Sequence, residues 1–331
     1  MVCWIDWPAS CALRRSRPPD VDEFALIRRY FAQRPPPESS SAWLHTGIGD
    51  DAAVLDTSIA DRWVLATDTL VAGRHFAESA NPADMGWKAL AVNLSDLAAM
   101  GATPRGFLLA LTLPHADADW LTQFAEGLFA LADEQDVTLI GGDTTRGPLS
   151  MTITAFGTCD TQPALLRSGA QPGDEVWVSG TLGDAALALH LGNAAPASLA
   201  QRLHRPQPRV EAGLAVAGQA TAAIDISDGL AADLGHVADA SHVGIRIHSE
   251  RLPRSAEFAA HCPEALRMQC LLAGGDDYEL AVCLPAGTAP PDTGCGWTRI
   301  GVVVKEPGIT IHSAQGVVEL AQSGFQHFSD S

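Results

Sequence analysis

Two α/β domains are what this sequence predicts, and three observations carry that expectation. Strand-length apolar runs alternate with helix-length amphipathic segments along the chain. The alternation occurs twice, on either side of a Pro- and Gly-containing stretch from Gln162 to Gly173. The chain has 331 residues, 47% of them hydrophobic and 18% charged, enough for two cores. The expected division is a disordered extension over 1–20, a first domain over 21–161 and a second over 162–331.

The elements follow in order. The first twenty residues combine Trp4, Trp7 and Pro8 with Arg14, Arg15, Arg17, Pro18 and Pro19. They lack the charged start and apolar core of a signal peptide, and a helical pattern begins only at Val21. Arg62–Thr67 (RWVLAT) reads as a strand ending at Asp68. Over Pro82–Met100, Trp87, Leu90, Ala91, Leu94 and Leu97 recur on one helical face. Phe107–Leu113 is a strand, Ala118–Gln135 a helix, and Val137–Ile140 a strand stopping at Gly141-Gly142-Asp143. Ser150–Thr158 alternates as a half-buried strand does.

In the second half, Glu175–Val178 is a strand leading through Gly183-Asp184 into an Ala/Leu-rich helix. Ala222–Ile226 is a strand, and Leu230, Leu234 and Val237 mark the helix after it. Val243–His248, Glu279–Leu284 and Trp297–Val304 are further strands.

Charge and composition narrow the function. With 39 acidic and 21 basic residues the net charge is −18, which argues against nucleic acid or an anionic membrane as partner. Only two lysines exist, Lys88 and Lys305, and neither follows a Gly-rich loop, so there is no P-loop. Seven cysteines without a C-x-x-C pair fit reduced thiols in a cytoplasmic protein. No apolar run is long enough to span a membrane.

Acidic residues recur at strand ends or beside glycines. Asp50 and Asp51 follow Gly49 in TGIGDDAAVL, Asp68 ends VLAT, and Asp96 lies in AVNLSDLAAMG. Asp143 follows IGG, Asp225 and Asp228 flank Ser227, and Asp276 and Asp277 follow Gly274-Gly275. Strand ends beside turns are where α/β proteins place ligand groups. Taken alone, any one of these acids reads first as a cap or turn residue, and Asp228 as a cap for the helix after it. Six such places in one chain are harder to explain that way. Two bare carboxylates 4 Å apart repel by roughly 4 kcal/mol at an effective dielectric of about 20. A convergent set therefore requires cations, and hard oxygen donors with few histidines favour Mg²⁺ over Zn²⁺. The general reading is an acidic, metal-bridged phosphate site. The Gly-x-Gly spacing of TGIGDD also suggests a dinucleotide fold, but it precedes the RWVLAT strand and is followed by acid.

Seven segments, in register over about Asp22–Phe328, resemble the thiamine-monophosphate kinase family. They are GIGDDAAVL, ATDTLVAGRHF, KALAVNLSDLAAMGATP, LIGGDTTRGP, LLRSGAQPGD, IDISDGLAADLGHV and GGDDYEL. That family belongs with aminoimidazole-ribonucleotide synthetase, selenophosphate synthetase and a hydrogenase-maturation protein. The resemblance implies a two-domain ATP-binding fold of the α/β (α+β) class, with a dimerising N-terminal domain and a homodimer. It implies transfer of the γ-phosphoryl of ATP to thiamine monophosphate with several Mg²⁺ ions.

By the same resemblance Asp51, Thr67, Asp68, Asp96, Asp143, Asp225 and Asp228 are metal ligands. Gly142, Asp143, Arg167 and Ser227 contact ATP. His75, Asp276 and Phe325 contact thiamine monophosphate, Phe325 through its ring. No catalytic residue is implied beyond these metal and phosphate ligands, because the acceptor oxygen is already ionised. Two positions depart from the pattern: Ala66 stands where relatives often carry Ser or Thr, and Asp276 where they often carry Glu. His75 also reads as a surface histidine, Phe325 as an anchor for the C-terminus, and Arg146 as a partner of either phosphate or a nearby aspartate. Another ATP-using enzyme of the superfamily, or a non-catalytic binding protein, are the rival functions. Neither a Cys in an N-terminal Gly-rich loop nor a C-terminal Cys is present to favour the selenide or hydrogenase relatives.

Overall fold

A computed structural model describes residues 29–31, 33, 38–46, 54–55, 62–159, 162–313, 316–318 and 324. Asp50, Asp51 and Phe325 lie outside the described residues, as does the extension over 1–20.

A short two-stranded ribbon, β1 (Leu44–Thr46) with β2 (Val54–Leu55), precedes a four-stranded sheet. That sheet comprises β3 (Arg62–Val71), β4 (Thr103–Leu113), β5 (Thr138–Arg146) and β6 (Ser150–Cys159) in the order β3-β6-β4-β5. Only β4 and β5 run parallel. The strand predicted to end at Asp68 runs on to Val71. The reason is its partner: β6 pairs with β3 from Arg62↔Cys159 to Val71↔Ser150 without a break, so the polar stretch Thr67–Thr69 keeps its ladder.

One face of this sheet is covered by α1 (Pro82–Ala99) and α2 (Ala118–Glu134). Asn81 caps α1 by accepting from Ala83 N–H at 2.8 Å, and Pro82 occupies the first turn, where no intrahelical donor is needed. Asp117 caps α2 through Asp119 and Trp120 N–H. The two helices approach until backbone meets backbone: a Cβ on Gly86 would overlap Phe124 O, and one on Gly127 would overlap Ala83 O. Nearly every residue of α1 is buried, because the second domain covers the side that the sheet leaves open. It is the central element of the molecule.

The second domain holds a seven-stranded sheet of β7 (Glu175–Ser179), β8 (Ala222–Asp225), β9 (Gly244–His248), β10 (Leu280–Leu284), β11 (Trp297–Val304), β12 (Gly308–Ser313) and β13 (Gly316–Val318). Its order is β13-β12-β9-β11-β7-β10-β8, with only β9 and β12 parallel. Helices α3 (Asp184–Leu191), α4 (Ala197–His204), α5 (Val210–Val216), α6 (Leu230–Ser241), α7 (Ala256–His261) and α8 (Glu264–Ala273) connect the strands. Along β10 side chains alternate between two cores: Ala281 and Cys283 join the cluster of the second domain, while Leu280, Val282 and Leu284 join that of the first. The two domains thus share buried apolar surface across α1 and β10.

Candidate active site

Two loops of the second domain face α1. The first, Ile226–Gly229, follows β8; the second, Gly274–Glu279, precedes β10. Backbone hydrogen bonds zip them together: Asp276 N to Ser227 O at 2.9 Å, Tyr278 N to Ile226 O at 2.8 Å and Ile226 N to Glu279 O at 2.8 Å. Asp276 and Tyr278 adopt left-handed φ values of 67° and 50°. Non-glycine residues held there cost about 1–3 kcal/mol each and recur at functional sites. The first loop is also braced from α6, where Asp233 Oδ2 accepts from the N–H groups of Ser227, Asp228 and Gly229 at 3.0–3.1 Å. Asp233 therefore satisfies the amides at this helix start, and the side chain of Asp228 is not their acceptor.

Asp68 and Asp96 of the first domain and Asp225 of the second lie near enough to feel one another's charge, and Asp225 and Asp228 both act on Asp233. Burial, then Asp225 and Asp68, push the Asp96 carboxyl well above its usual range, while Arg167 opposes the shift. Burial and Asp68 also raise Asp225, against a hydrogen bond from Ser95 Oγ (2.7 Å to Oδ2) and the charge of Arg167. Asp233 is raised to about 7 by burial, Asp225 and Asp228, which outweigh its backbone donors. Tyr278 is raised by burial and by Asp276, Asp225 and Asp68. Burial is the largest cause in every case, and neighbouring carboxylates add to it, with the Arg167 charge opposing the shift at Asp96 and Asp225. Asn93 Oδ1 accepts from Asp68 N–H at 3.0 Å and so fixes the strand at that point against α1.

The remaining site residues divide. The sheet pairing puts Thr67 and Asp143 on the open face of the four-stranded sheet, opposite the helix-covered face to which Asp68 belongs. Thr67 Oγ1 donates to Ile153 O at 3.1 Å and meets Thr154 Oγ1 at 3.0 Å. Gly142 has φ 151°, and a Cβ there would overlap Leu109 O of the paired strand, so this point of β5 beside Asp143 admits glycine alone. His75 is fixed in the turn after β3, its Nδ1 accepting from Val71 N–H at 3.0 Å. Arg146 donates through Nε to Pro114 O at 3.3 Å.

Sequence reasoning missed several groups. Lys88, on α1, is buried and pairs with Asp276 Oδ1 at 2.9 Å. Tyr278 OH donates to the same oxygen at 3.2 Å. Asn93, Ser95 and Asp233 support the acids. The available signal was scarcity: Lys88 is one of two lysines and Tyr278 one of two tyrosines, and both lie in segments already singled out. Glu279, by contrast, is structural, held between Arg202, Arg209 and Ser179.

The donor set suits a hard divalent cation, since it consists of carboxylate oxygens, two of which, on Asp96 and Asp225, are held above their usual range by burial and by neighbouring carboxylates. Among the described residues no three His, Cys, Asp or Glu side chains lie close enough to hold an ion by themselves. Mg²⁺ ordinarily takes one or two carboxylates together with water and substrate phosphate. The arrangement can therefore gather anionic phosphate only together with cations.

Comparison with known proteins bears on that chemistry. Residues 49–159 match the family described as "AIR synthase related protein, N-terminal domain", and residues 171–313 match its C-terminal domain. A thiamine-monophosphate kinase of Salmonella typhimurium is 49% identical over 80% of this chain and 82% of its own. The Escherichia coli K12 enzyme of the same name is 43% identical over 93% and 98%. Among solved structures, the thiamine-monophosphate kinase of Stenotrophomonas maltophilia K279a has TM-score 0.78 and 43% identity, covering 89% of this chain and 98% of its own. A structure of AaThiL complexed with AMPPCP and TMP has TM-score 0.73 and 30% identity, covering 95% and 99%.

Proposed function

This chain belongs to the thiamine-monophosphate kinases of the AIR synthase related family, and from that premise we propose that it phosphorylates thiamine monophosphate with ATP, giving thiamine diphosphate and ADP. The observation that carries the reading is the approach of Asp68 and Asp96 of the first domain to Asp225 of the second, within the reach of Arg167's charge. The complex of AaThiL with AMPPCP and TMP supports both substrates.

In the reaction, an ionised oxygen of the acceptor phosphate forms a bond to the γ-phosphorus as the bond to the β–γ bridging oxygen breaks. The electron pair leaves with ADP. No general base is needed, and catalysis is alignment and charge stabilisation. We assign Asp68, Asp96, Asp225 and Asp228, with Asp51, Thr67 and Asp143, to holding Mg²⁺. Bound Mg²⁺ would screen the two phosphate chains from each other and from these carboxylates. Arg167, Ser227 and the backbone near Gly142 and Asp143 would orient ATP, Arg167 donating to the transferring phosphoryl oxygens. His75 and Asp276 would orient thiamine monophosphate, with the Phe325 ring against its cationic thiazolium. Motif position supports all of these roles; geometry adds support for Asp68, Asp96 and Asp225, whereas Thr67 and Asp143 lie on the other face of the sheet and rest on motif position alone.

The division at 162, a homodimer and a cytoplasmic location belong to the same proposal. The match of separate N- and C-terminal family models supports the division. The open face of the four-stranded sheet supports the dimer: Leu65 is 67% exposed and Leu108 38%, in a row with Val71 and the β6 threonines. Leu65→Glu combined with Leu108→Glu should halve the mass measured by sedimentation. The five described cysteines are all free thiols, which suits the cytoplasm, and no described helix is long and apolar enough to cross a membrane.

The direct test supplies ATP and Mg²⁺ with thiamine monophosphate, free thiamine or an aminoimidazole precursor. Thiamine diphosphate formed from the monophosphate alone is the expected result. ADP release with another acceptor and none with thiamine monophosphate would overturn the assignment.

A further inference from the structure

Asp276 poses a chemical problem for a site that must admit two phosphate chains. It adds one more carboxylate near Asp68 and Asp225, on a loop in left-handed backbone. The structure answers with a lysine from the other domain. Lys88 reaches out of α1, its side chain only 6% exposed, and its ammonium meets Asp276 Oδ1 at 2.9 Å. Tyr278, itself buried, brings its hydroxyl to the same oxygen at 3.2 Å. Among the described residues the other oxygen, Oδ2, has no hydrogen-bond partner, and the Asp276 side chain stays 32% exposed. One face of the carboxylate is thus clamped and neutralised, and the other is presented.

Burying an ammonium is costly, and on α1 an apolar residue would fill the place without that cost. A Lys retained there serves its partner. The same helix also carries Asn93, which accepts from Asp68 N–H, Ser95, which donates to Asp225, and Asp96, itself one of the acids. A single rigid helix thereby sets both the acid cluster and the Asp276 loop, which aligns the two halves of a phosphoryl-transfer site.

We propose that Lys88, helped by Tyr278, is a positioning residue for the acceptor substrate: it fixes and neutralises Asp276 so that Oδ2 faces a donor group on the organic part of thiamine monophosphate. The inference rests on the function proposed above and extends it to residues outside the ligand set. An N–H-bearing or cationic group is the class of chemistry that a lone carboxylate oxygen selects, whereas a phosphate would be repelled.

The test is steady-state kinetics on the wild type, Lys88→Met, Lys88→Arg, Tyr278→Phe, Asp276→Asn and the Lys88→Met/Asp276→Asn double variant, with folding checked by circular dichroism. Lys88→Met should raise KM for thiamine monophosphate at least tenfold while KM for ATP stays within twofold. Lys88→Arg should recover most of that loss, and Tyr278→Phe should show a smaller effect of the same kind. The double variant should be no worse than Asp276→Asn, since Lys88 acts only through Asp276. An unchanged KM for thiamine monophosphate in Lys88→Met, multiplicative losses in the double variant, or an equal rise in both KM values would overturn the inference. A wild-type enzyme that makes no thiamine diphosphate would instead refute the reaction, and the inference with it.

Discussion

Replacing Glu279 with glutamine should destabilise the second domain more than any exposed charge change. Glu279 is fully buried, and four donors converge on its two oxygens. Oε1 accepts from Arg202 Nη2 at 2.7 Å and from Arg209 Nη2, while Oε2 accepts from Arg209 Nε at 2.6 Å and from Ser179 Oγ. Summing four charge-assisted bonds at about 1.5–3 kcal/mol each would overstate their worth, since burial of three charges has already consumed most of it. The relevant quantity is the cost of breaking a buried pair from one side, about 3–5 kcal/mol, because Arg209 then loses its counter-charge, Arg202 keeps only the longer contact to Asp184 at 3.8 Å, and a guanidinium faces an amide N–H₂. For a domain of this size that is roughly 6–20 °C in Tm.

The pH dependence has a definite sign. Burial alone would raise the Glu279 pKa, but the Arg209 hydrogen bond and charge, Arg202 and Ser179 together hold it below the usual 4.5. A depressed carboxylate contributes stability above its unfolded-state pKa and loses it as pH falls through the folded-state value. The gap between wild type and Glu279→Gln should therefore be full at pH 7 and narrow on acidification below about pH 4.5. Urea unfolding followed by tryptophan fluorescence measures both. A difference under about 1 kcal/mol at pH 7 would refute the account of Glu279 as a buried anchor.

Three shorter predictions follow from the site. Asp68→Asn should lower the rate about 10- to 100-fold at limiting Mg²⁺, and rate curves against Mg²⁺ should recover part of the loss at excess metal. Near-full activity at limiting Mg²⁺ would remove Asp68 from the ligand set. Phe325→Ala should raise KM for thiamine monophosphate about two- to thirtyfold, the range of a cation–π contact, with little change in KM for ATP. Gly142→Ala should cost at least about 1–3 kcal/mol in thermal unfolding, because its backbone angle and the Leu109 carbonyl both exclude a side chain.

Much of the fold was legible wherever local pattern and burial agree. The helix over Pro82–Met100, the helix over Ala118–Gln135 and the strands near 107–113, 150–158, 175–178 and 297–304 all stand within a few residues of their expected limits. Short helices such as Ala197–His204 and Val210–Val216, and the strands Gly308–Ser313 and Gly316–Val318, carry too few periods to announce themselves. Strand–helix alternation also says nothing of pairing direction, and both sheets are mostly antiparallel. In the site, Asp143, Asp225, Asp228 and Asp276 were visible because each sits beside or close to a glycine or a strand end, whereas Asp68 lies within β3 and Asp96 within α1. Lys88 was not visible, since its meaning depends on a partner 188 residues away, brought near only by domain packing.

The crowding of the acids also determines how the site should respond to its ligands. Asp96 and Asp225 come from different domains, and each is raised by burial and by a neighbouring carboxylate, so ionising both without a cation opposes the approach of α1 to the Ile226–Gly229 loop. The contacts that oppose separation there are few and polar: Ser95 Oγ to Asp225 and Lys88 to Asp276. The apolar core behind them, with Leu94, Leu97, Leu280 and Val282, is indifferent to cations. Chelation should therefore loosen the two loops while leaving the domains associated. Hydrogen exchange of the amides of residues 226–229 and 275–279 should quicken in EDTA and slow with Mg²⁺ and a non-hydrolysable ATP analogue. Amides in β10 and the body of α1 should be unaffected. Slow, cation-independent exchange in both loops would mean that the zipped backbone, and not the balance of charge, sets the site's order.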